Sequence, residues 1–225
     1  MSDAPVFVIT GASTGIGAAT ARQAAAAGYR LVLAARSRDK LDALAEETGG
    51  LAVTTDVMRW EDNEALIAAA VEAFGGVDAV WANAGFGAKR GWLEETPEHW
   101  HDMVVTNVLG AAYTVRAAIP ALKESRGHVL LTGSVAGRKV MPGSLYSCTK
   151  WAVTAMAEAV RVDLDGTGIR TTLISPGAVD TPFFDNPSEG RLEPDDIARA
   201  VMYALGQPPH VDVNEVLVRP TAQAG

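Results

Sequence analysis

The sequence predicts an α/β architecture: one doubly wound, seven-stranded parallel sheet with helices on both faces. Three observations carry that expectation. Short β-branched runs recur seven times, longer segments of helical character separate them, and the runs are apolar almost throughout instead of alternating apolar with polar residues. Strands alternating with helices call for parallel βαβ units. A strand apolar on both of its sides needs cover on both.

In chain order, "VFVIT" (6–10) is the first strand and passes through "TGASTGIG" (10–17) into a helix expected over 15–28. "RLVLAA" (30–35) follows, then a helix over 38–48, a third strand in "LAVTTDV" (51–57) and a helix over 60–74. The fourth strand, "VDAVWAN" (77–83), leads to a long helix over 97–124. That helix opens with Pro97, which suits a first turn because the N–H it lacks would have no partner there. "GHVLLTG" (127–133), a helix over 145–165, "IRTTLIS" (169–175), a helix over 194–206 opened by Pro194, and "NEVLVRP" (214–220) complete the series. No linker-like, repeated or low-complexity stretch interrupts it, so residues 1–225 are expected to form a single domain.

Charge narrows the partners. The chain carries 19 Lys and Arg against 27 Asp and Glu, a formal net charge of −8, which argues against nucleic-acid and anionic-membrane partners. Any bound anion must be held by local groups. The single cysteine, Cys148, excludes an intramolecular disulfide and a multi-cysteine metal site, and is expected to be a buried packing residue. His99, His101, His128 and His210 are scattered and read as surface or helix-end residues, so no metal site is expected. The amino terminus lacks the basic-then-apolar pattern of a secretion signal, and no run approaches the roughly 20 apolar residues of a membrane span. A cytoplasmic setting is expected.

Glycine is needed where the backbone takes positive φ or where another group approaches the main chain closely. Gly11, Gly15 and Gly17, placed between a strand and a helix, fit a phosphate site in which the first helical amides face an anion. The same spacing fits a tight turn with no ligand. Ligands of open parallel sheets bind outside the carboxyl ends of the strands. Those ends carry "TGASTGIG", "AARSR", "TTDV", "WANAG", "TGSVAG" and "SPGAVDTP", so the unusual glycines and hydroxyl residues converge on one edge of the sheet.

Tyr146 and Lys150 are four residues apart and so share one helix face. A phenol with pKa about 10 exchanges protons poorly near neutrality, and a fixed ammonium beside it is expected to lower that value. Ser134, 12 residues before Tyr146 at the end of the fifth strand, can offer its hydroxyl to a carbonyl oxygen.

Together these motifs resemble the short-chain dehydrogenase/reductase family over residues 6–220: the glycine motif in "TGASTGIG", "NAG" at Asn83, Ala84 and Gly85, Asn107 in "VVTNVLG", Ser134 in "TGSVAG", Tyr146 and Lys150 in "YSCTK", and "PGAVDT" after the sixth strand. The resemblance implies a Rossmann-type domain that transfers hydride between a nicotinamide cofactor and a small carbonyl or alcohol substrate. It assigns catalysis to Asn107, Ser134, Tyr146 and Lys150. Tyr146 exchanges the proton, Lys150 also grips the nicotinamide ribose, and Asn107 holds a relay water at a local break in its helix. Cofactor contacts are implied for Gly11, Ser13, Thr14, Gly15, Ile16 and Gly17, for Asp56 and Val57 at the adenine edge, for Asn83, Ala84 and Gly85, and for Pro176, Gly177, Val179 and Thr181.

NAD-preferring members of such families end the second strand with an acid that bonds the ribose hydroxyls. Here Ala35 holds that place and Arg36 follows, and a planar guanidinium suits a 2′-phosphate, so NADP(H) is the expected cofactor. Arg38 is a weaker candidate of the same kind. "AARSRDKL", "LEPDDIARAV" and the ending "VNEVLVRPTAQAG" are similar to the branch holding NADP-dependent serine and 3-hydroxy acid dehydrogenases and the reductase of clavulanate synthesis. A 3-oxoacyl-type reductase and a nucleotide-binding regulator with little catalysis are the alternatives.

Substrate contacts are less defined. Phe86, Trp92, Met141, Phe183 and Phe184 suit either an apolar pocket or ordinary core packing; Lys89, Arg90, Arg138 and Lys139 suit either a substrate carboxylate or solvent. The stretches "MVVTNVLGAAYTVRAAIPAL" (103–122) and "WAVTAMAEAV" (151–160) are apolar on more sides than one sheet can cover. A homodimer or homotetramer is therefore expected, in agreement with the four-helix contacts that the resemblance implies.

Overall fold

A computed structural model describes residues 4–183 and 190–223. Seven parallel strands, β1 (Val6–Thr10), β2 (Arg30–Ala35), β3 (Leu51–Thr54), β4 (Ala79–Ala82), β5 (His128–Thr132), β6 (Arg170–Pro176) and β7 (Glu215–Val218), form one sheet in the order β3-β2-β1-β4-β5-β6-β7. The helices are α1 (Gly15–Ala26), α2 (Arg38–Thr48), α3 (Trp60–Phe74), α4 (Pro97–Val104), α5 (Ala111–Ser125), α6 (Leu145–Asp163) and α7 (Pro194–Leu205). A π-helical turn, Val105–Gly110, joins α4 to α5, and a short 3₁₀ turn, Val135–Gly137, follows β5.

Both faces of the sheet are buried, for the reason the sequence pattern gives. Along β1, Val6 and Val8 pack toward α3, α5 and α6, contacting a layer that includes Leu66, Val115, Leu122 and Val153. Phe7 and Ile9 point the other way, toward a layer that includes Ala21 of α1, Leu41 of α2 and Ile197 and Val201 of α7. Successive strand residues alternate sides, so a run with no polar residue supplies both cores at once. Strand β1 pairs with β2 on one side, Val8 opposite Val32, and with β4 on the other, Val8 opposite Val80. The chain reverses its winding direction between β1 and β4, which opens the crevice where α/β sheets bind ligands.

Helix starts follow the sequence signals. Pro97 opens α4, where the Thr96 hydroxyl accepts from His99 N at 3.1 Å; Pro194 opens α7, capped reciprocally by Glu193 and Asp196. The single helix expected over 97–124 is instead two helices with the π turn between them. The third strand is shorter than 51–57: it ends at Thr54, leaving Asp56 and Val57 in the loop beyond it. His128 is a correction of a different kind. Expected at the surface, it is buried in β5 with Nε2 2.7 Å from Thr172 Oγ1, because β5 lies inside the sheet between β4 and β6. Among the described residues, no helix is long and apolar enough to cross a membrane and no group of three or more His, Cys, Asp and Glu is placed to hold a metal ion.

Candidate active site

The loop between β1 and α1 answers the question its glycines pose. Gly11 has φ +65° and lies against the main chain of Ala84, whereas at Gly17 a β-carbon would overlap the carbonyl oxygen of Gly11. Gly15 also has positive φ, +54°, so the motif needs two glycines for their dihedrals and the third for its closeness. Thr14 caps α1 with no side-chain hydrogen bond, so its hydroxyl does not occupy the first amides of that helix. Asn83 ties this loop to the sheet. Its Nδ2 donates to Thr10 O at 3.0 Å, its Oδ1 accepts from Thr132 Oγ1 at 3.0 Å, and its backbone N donates to Thr10 Oγ1 at 3.0 Å. One side chain thereby joins the carboxyl ends of β1, β4 and β5.

A cavity of about 750 Å³ runs along these strand ends. Gly11, Ser13, Thr14, Gly15, Ile16, Gly17, Arg36, Asp56, Val57, Asn83, Ala84, Gly85, Ser134, Tyr146, Lys150, Pro176, Gly177, Val179 and Thr181 all line it. Of the residues singled out as catalytic, Asn107 stands behind the wall instead of on it. Buried in the π turn, Asn107 accepts from Phe86 N at 3.0 Å and donates to Phe86 O at 2.9 Å and to Thr149 Oγ1 at 3.1 Å. Thr149 in turn donates to Tyr146 O at 2.7 Å. The break in the helix therefore brings a side chain into contact with both the loop after β4 and the first turn of α6.

Helix α6 presents Tyr146 and Lys150 to the cavity on one face. Ser144 caps it, accepting from Ser147 N at 3.1 Å, and Ser147 Oγ donates to Ala136 O at 2.5 Å, which pins the helix start to the 3₁₀ turn after Ser134. Lys150 Nζ lies 5.7 Å from the centre of the Tyr146 ring and donates to Thr132 O at 2.8 Å. Burial pushes the Tyr146 phenol up to about 12, partly opposed by its hydrogen bond with Ser134, and pushes Lys150 down to about 8. The phenol is thus raised, not lowered as expected from the lysine charge, because desolvation disfavours the charged form of both groups.

A model of the family described as short chain dehydrogenase matches residues 5–191. The chain belongs to the short-chain dehydrogenase family. An uncharacterized oxidoreductase of Staphylococcus haemolyticus is 42% identical over 223 residues, covering 96% of each chain. Among solved structures, an alcohol dehydrogenase from the archaeon Thermococcus sibiricus complexed with 5-hydroxy-NADP superposes with a TM-score of 0.91 at 36% identity, covering 99% of both chains. A serine dehydrogenase complexed with NADP+ gives 0.90 at 27% identity, covering 98% of this chain and 96% of that one. A 3-ketoacyl-(acyl-carrier-protein) reductase from Brucella melitensis complexed with NADH gives 0.88 at 30% identity, covering 96% of this chain and 97% of that one.

In this short-chain dehydrogenase the cavity fits a dinucleotide: glycine loop, uncapped helix start and strand-end residues line one continuous space. At its β2 end Arg36 is joined by Ser37 and Lys40, which sequence reasoning missed. The signal was present, since Lys40 follows Arg36 by four residues across the start of α2. Arg38, the weaker candidate, turns away and bonds Asp42 at 2.7 Å.

At the substrate end, Phe86, Arg90, Met141 and Phe183 line the cavity, with the Phe183 ring edge-on to Tyr146 at 5.4 Å. Trp92 does not; it is exposed and packs on Trp100. Phe184 lies outside the described residues. Arg138 is paired with Glu215, and Lys89 does not line the cavity. Cys148, expected to be buried, is exposed on the side of α6 away from Tyr146 and Lys150. Its position two residues from each turns it off their shared face.

Proposed function

We propose that this short-chain dehydrogenase is an NADP(H)-dependent oxidoreductase that interconverts a small-molecule carbonyl compound and its secondary alcohol. The observation that carries the reading is the meeting of Ser134, Tyr146 and Lys150 on the wall of one cavity whose opposite end is lined by Arg36 and Lys40. A 2′-phosphate is favoured by cations and repelled by an acid at the end of β2. There the chain has Ala35 followed by Arg36. The NADP complexes of the alcohol and serine dehydrogenases support this choice.

The glycine loop and the start of α1 would hold the pyrophosphate. Asp56 and Val57 would border the adenine, and Pro176, Gly177, Val179 and Thr181 the nicotinamide end. When bound, the nicotinamide gives hydride in reduction and takes it in oxidation. Ser134 donates a hydrogen bond to the substrate carbonyl oxygen and fixes it beside the phenol. Tyr146 donates its proton to that oxygen as the oxygen becomes an alkoxide, and Lys150 stabilises the phenolate that remains. In the reverse direction the phenolate takes the alcohol proton. Asn107 Nδ2 already uses both hydrogens on Phe86 and Thr149, so a relay through this residue falls to its main chain or to Oδ1. The same reading places a cytoplasmic homo-oligomer.

A panel of ketones, aldehydes and secondary alcohols, followed at the nicotinamide absorbance with NADPH and with NADH, tests the proposal. Turnover with NADPH exceeding that with NADH is expected. A protein that binds NADPH yet oxidises none of it across the panel would be a nucleotide-binding protein of another kind.

A further inference from the structure

Beside the main cavity lies a second chamber of about 300 Å³, bordered by Arg90, Lys139 and Arg219 together with Val140, Met141 and Pro142. Arg90, Val135, Met141 and Gln223 border both spaces, so the chamber adjoins the end of the cavity that Ser134 lines. Three separate parts of the chain supply its cations. Arg90 comes from the loop after β4 and Lys139 from the segment before α6; these two are held together where Gly91 N donates to Gly143 O at 2.9 Å. Arg219 follows β7 and is brought in by the carboxy-terminal tail, where Gln223 Oε1 accepts from Ala178 N at 3.1 Å.

No Asp or Glu borders the chamber among the described residues; the acids that line the main cavity, Asp56 and Asp102, do not reach it. The chain as a whole carries a net charge of −8, so three cations around one small space are not a by-product of a basic surface. Convergent cations at a concave site raise the local concentration of anions and bond them with charge-assisted hydrogen bonds. Met141 and Val135, which border both spaces, add apolar surface beside these cations.

We infer that the chamber is an anion subsite, and that the carbonyl or alcohol substrate carries an anionic group, carboxylate or phosphate ester, separated from its reacting carbon by a short apolar spacer. The inference rests on the oxidoreductase reading and names the substrate class of that same site. The charged tail would lie against Arg219, Arg90 and Lys139 while the carbonyl reaches Ser134 and Tyr146.

The test compares acetoacetate, 4-oxopentanoate and 5-oxohexanoate with their methyl esters, and hydroxyacetone phosphate with hydroxyacetone, in kcat/KM with NADPH. At least one anion is expected to exceed its neutral partner by about 10-fold or more, as one charge-assisted hydrogen bond supplies. Preference in the acid series or in the phosphate pair identifies which anion is used. In Arg219→Ala the anion-to-neutral ratio should collapse toward 1, Arg219→Lys should retain most of it, and Arg219→Glu should invert it. Equal rates for every pair, or a preference that Arg219→Glu leaves intact, overturns the subsite while the redox reading stands. If every compound is inert, the redox reading fails instead, and calorimetry decides the subsite: 5-oxohexanoate and hydroxyacetone phosphate titrated into NADP-saturated protein. Binding lost in Arg219→Glu supports the subsite, and the absence of binding by either anion overturns it.

Discussion

Lys150 stands within 5.7 Å of the Tyr146 ring yet gives its hydrogen bond to the Thr132 carbonyl, at the end of the strand that precedes Ser134. The ammonium is thereby fixed by the sheet instead of by the phenol. It can act on the phenol through space without being consumed by it.

That arrangement sets a pH dependence for both directions of the reaction. With burial holding Tyr146 up to about 12 and Lys150 down to about 8, the first proton leaves the pair near the lower value. It belongs to the pair, since phenol with amine and phenolate with ammonium contain the same number of protons. In the proposed mechanism, reduction would require the two-proton form and oxidation the form with one. The kcat/KM for carbonyl reduction should therefore be level near pH 7 and fall above about 8, and that for alcohol oxidation should rise through the same range. Tyr146→Phe should cut both directions by at least about 100-fold while NADPH binding persists. Profiles that stay level through this range in both directions would remove the pair from the mechanism.

Under the proposed NADP(H) reading, Arg36 and Lys40, which line the same end of the cavity, would divide the recognition of the 2′-phosphate. Loss of one or two charge-assisted bonds at about 1.5 to 3 kcal/mol each predicts roughly 100-fold weaker NADPH binding in Arg36→Asp, with NADH little changed. Lys40→Ala, which removes a single point charge, should weaken NADPH by about 10-fold or less. Fluorescence titration of both nucleotides checks the ratio. An unaltered NADPH-to-NADH ratio in Arg36→Asp would mean that the phosphate lies elsewhere.

Much of this architecture was legible in the residues. Continuous apolar runs announced a sheet covered on both faces, and Pro97 and Pro194 marked helix starts because proline tolerates few other helical positions. The π turn was not legible from periodicity, because Val105–Gly110 keeps its apolar pattern while one residue is accommodated by wider hydrogen bonding; only the resemblance around Asn107 pointed to a break. His128 was placed in the fifth strand yet read as a surface residue, since its buried partner Thr172 is 44 positions away in the sequence. Arg219 escaped notice for a similar reason: its neighbours in the chamber, Arg90 and Lys139, come from loops far away in sequence.

His128 also gives the fold an acid weakness. Burial, with the Arg170 charge in support, pushes its pKa down to about 3 from the ordinary value of 6.5. The unfolded chain then binds the proton that the folded chain refuses, so stability is full above about 6.5 and declines as pH falls toward 3. At pH 5 this one group should cost about 2 kcal/mol, or a fall in Tm of roughly 4 to 8 °C for a chain of this size. His128→Gln retains a group able to bond Thr172 but does not titrate. Its Tm should fall less between pH 8 and pH 5 than that of the parent, and equal falls in thermal scans would show that His128 takes no part.

The outer surface of α6, with the end of α4 and the π turn, bears on assembly. Val115, Leu122, Val153 and Ala157 point inward to the sheet, and on the opposite side Val104, Leu109, Trp151 and Val162 remain exposed around Ala155 and Ala159. Large exposed apolar side chains on α6, at the end of α4 and in the π turn mark an association surface more often than a solvated one. The simplest closed arrangement pairs the surface with its own copy about a two-fold axis. Light scattering at micromolar concentration should give the mass of two or four chains. Leu109→Asp combined with Trp151→Asp would set like charges against each other across such an axis and leave them without water, so the assembly should shift toward smaller species while the cavity and its NADPH affinity are preserved. A parent protein with the mass of one chain would refute the assembly, and a variant that keeps the parent mass would place the contact on another surface.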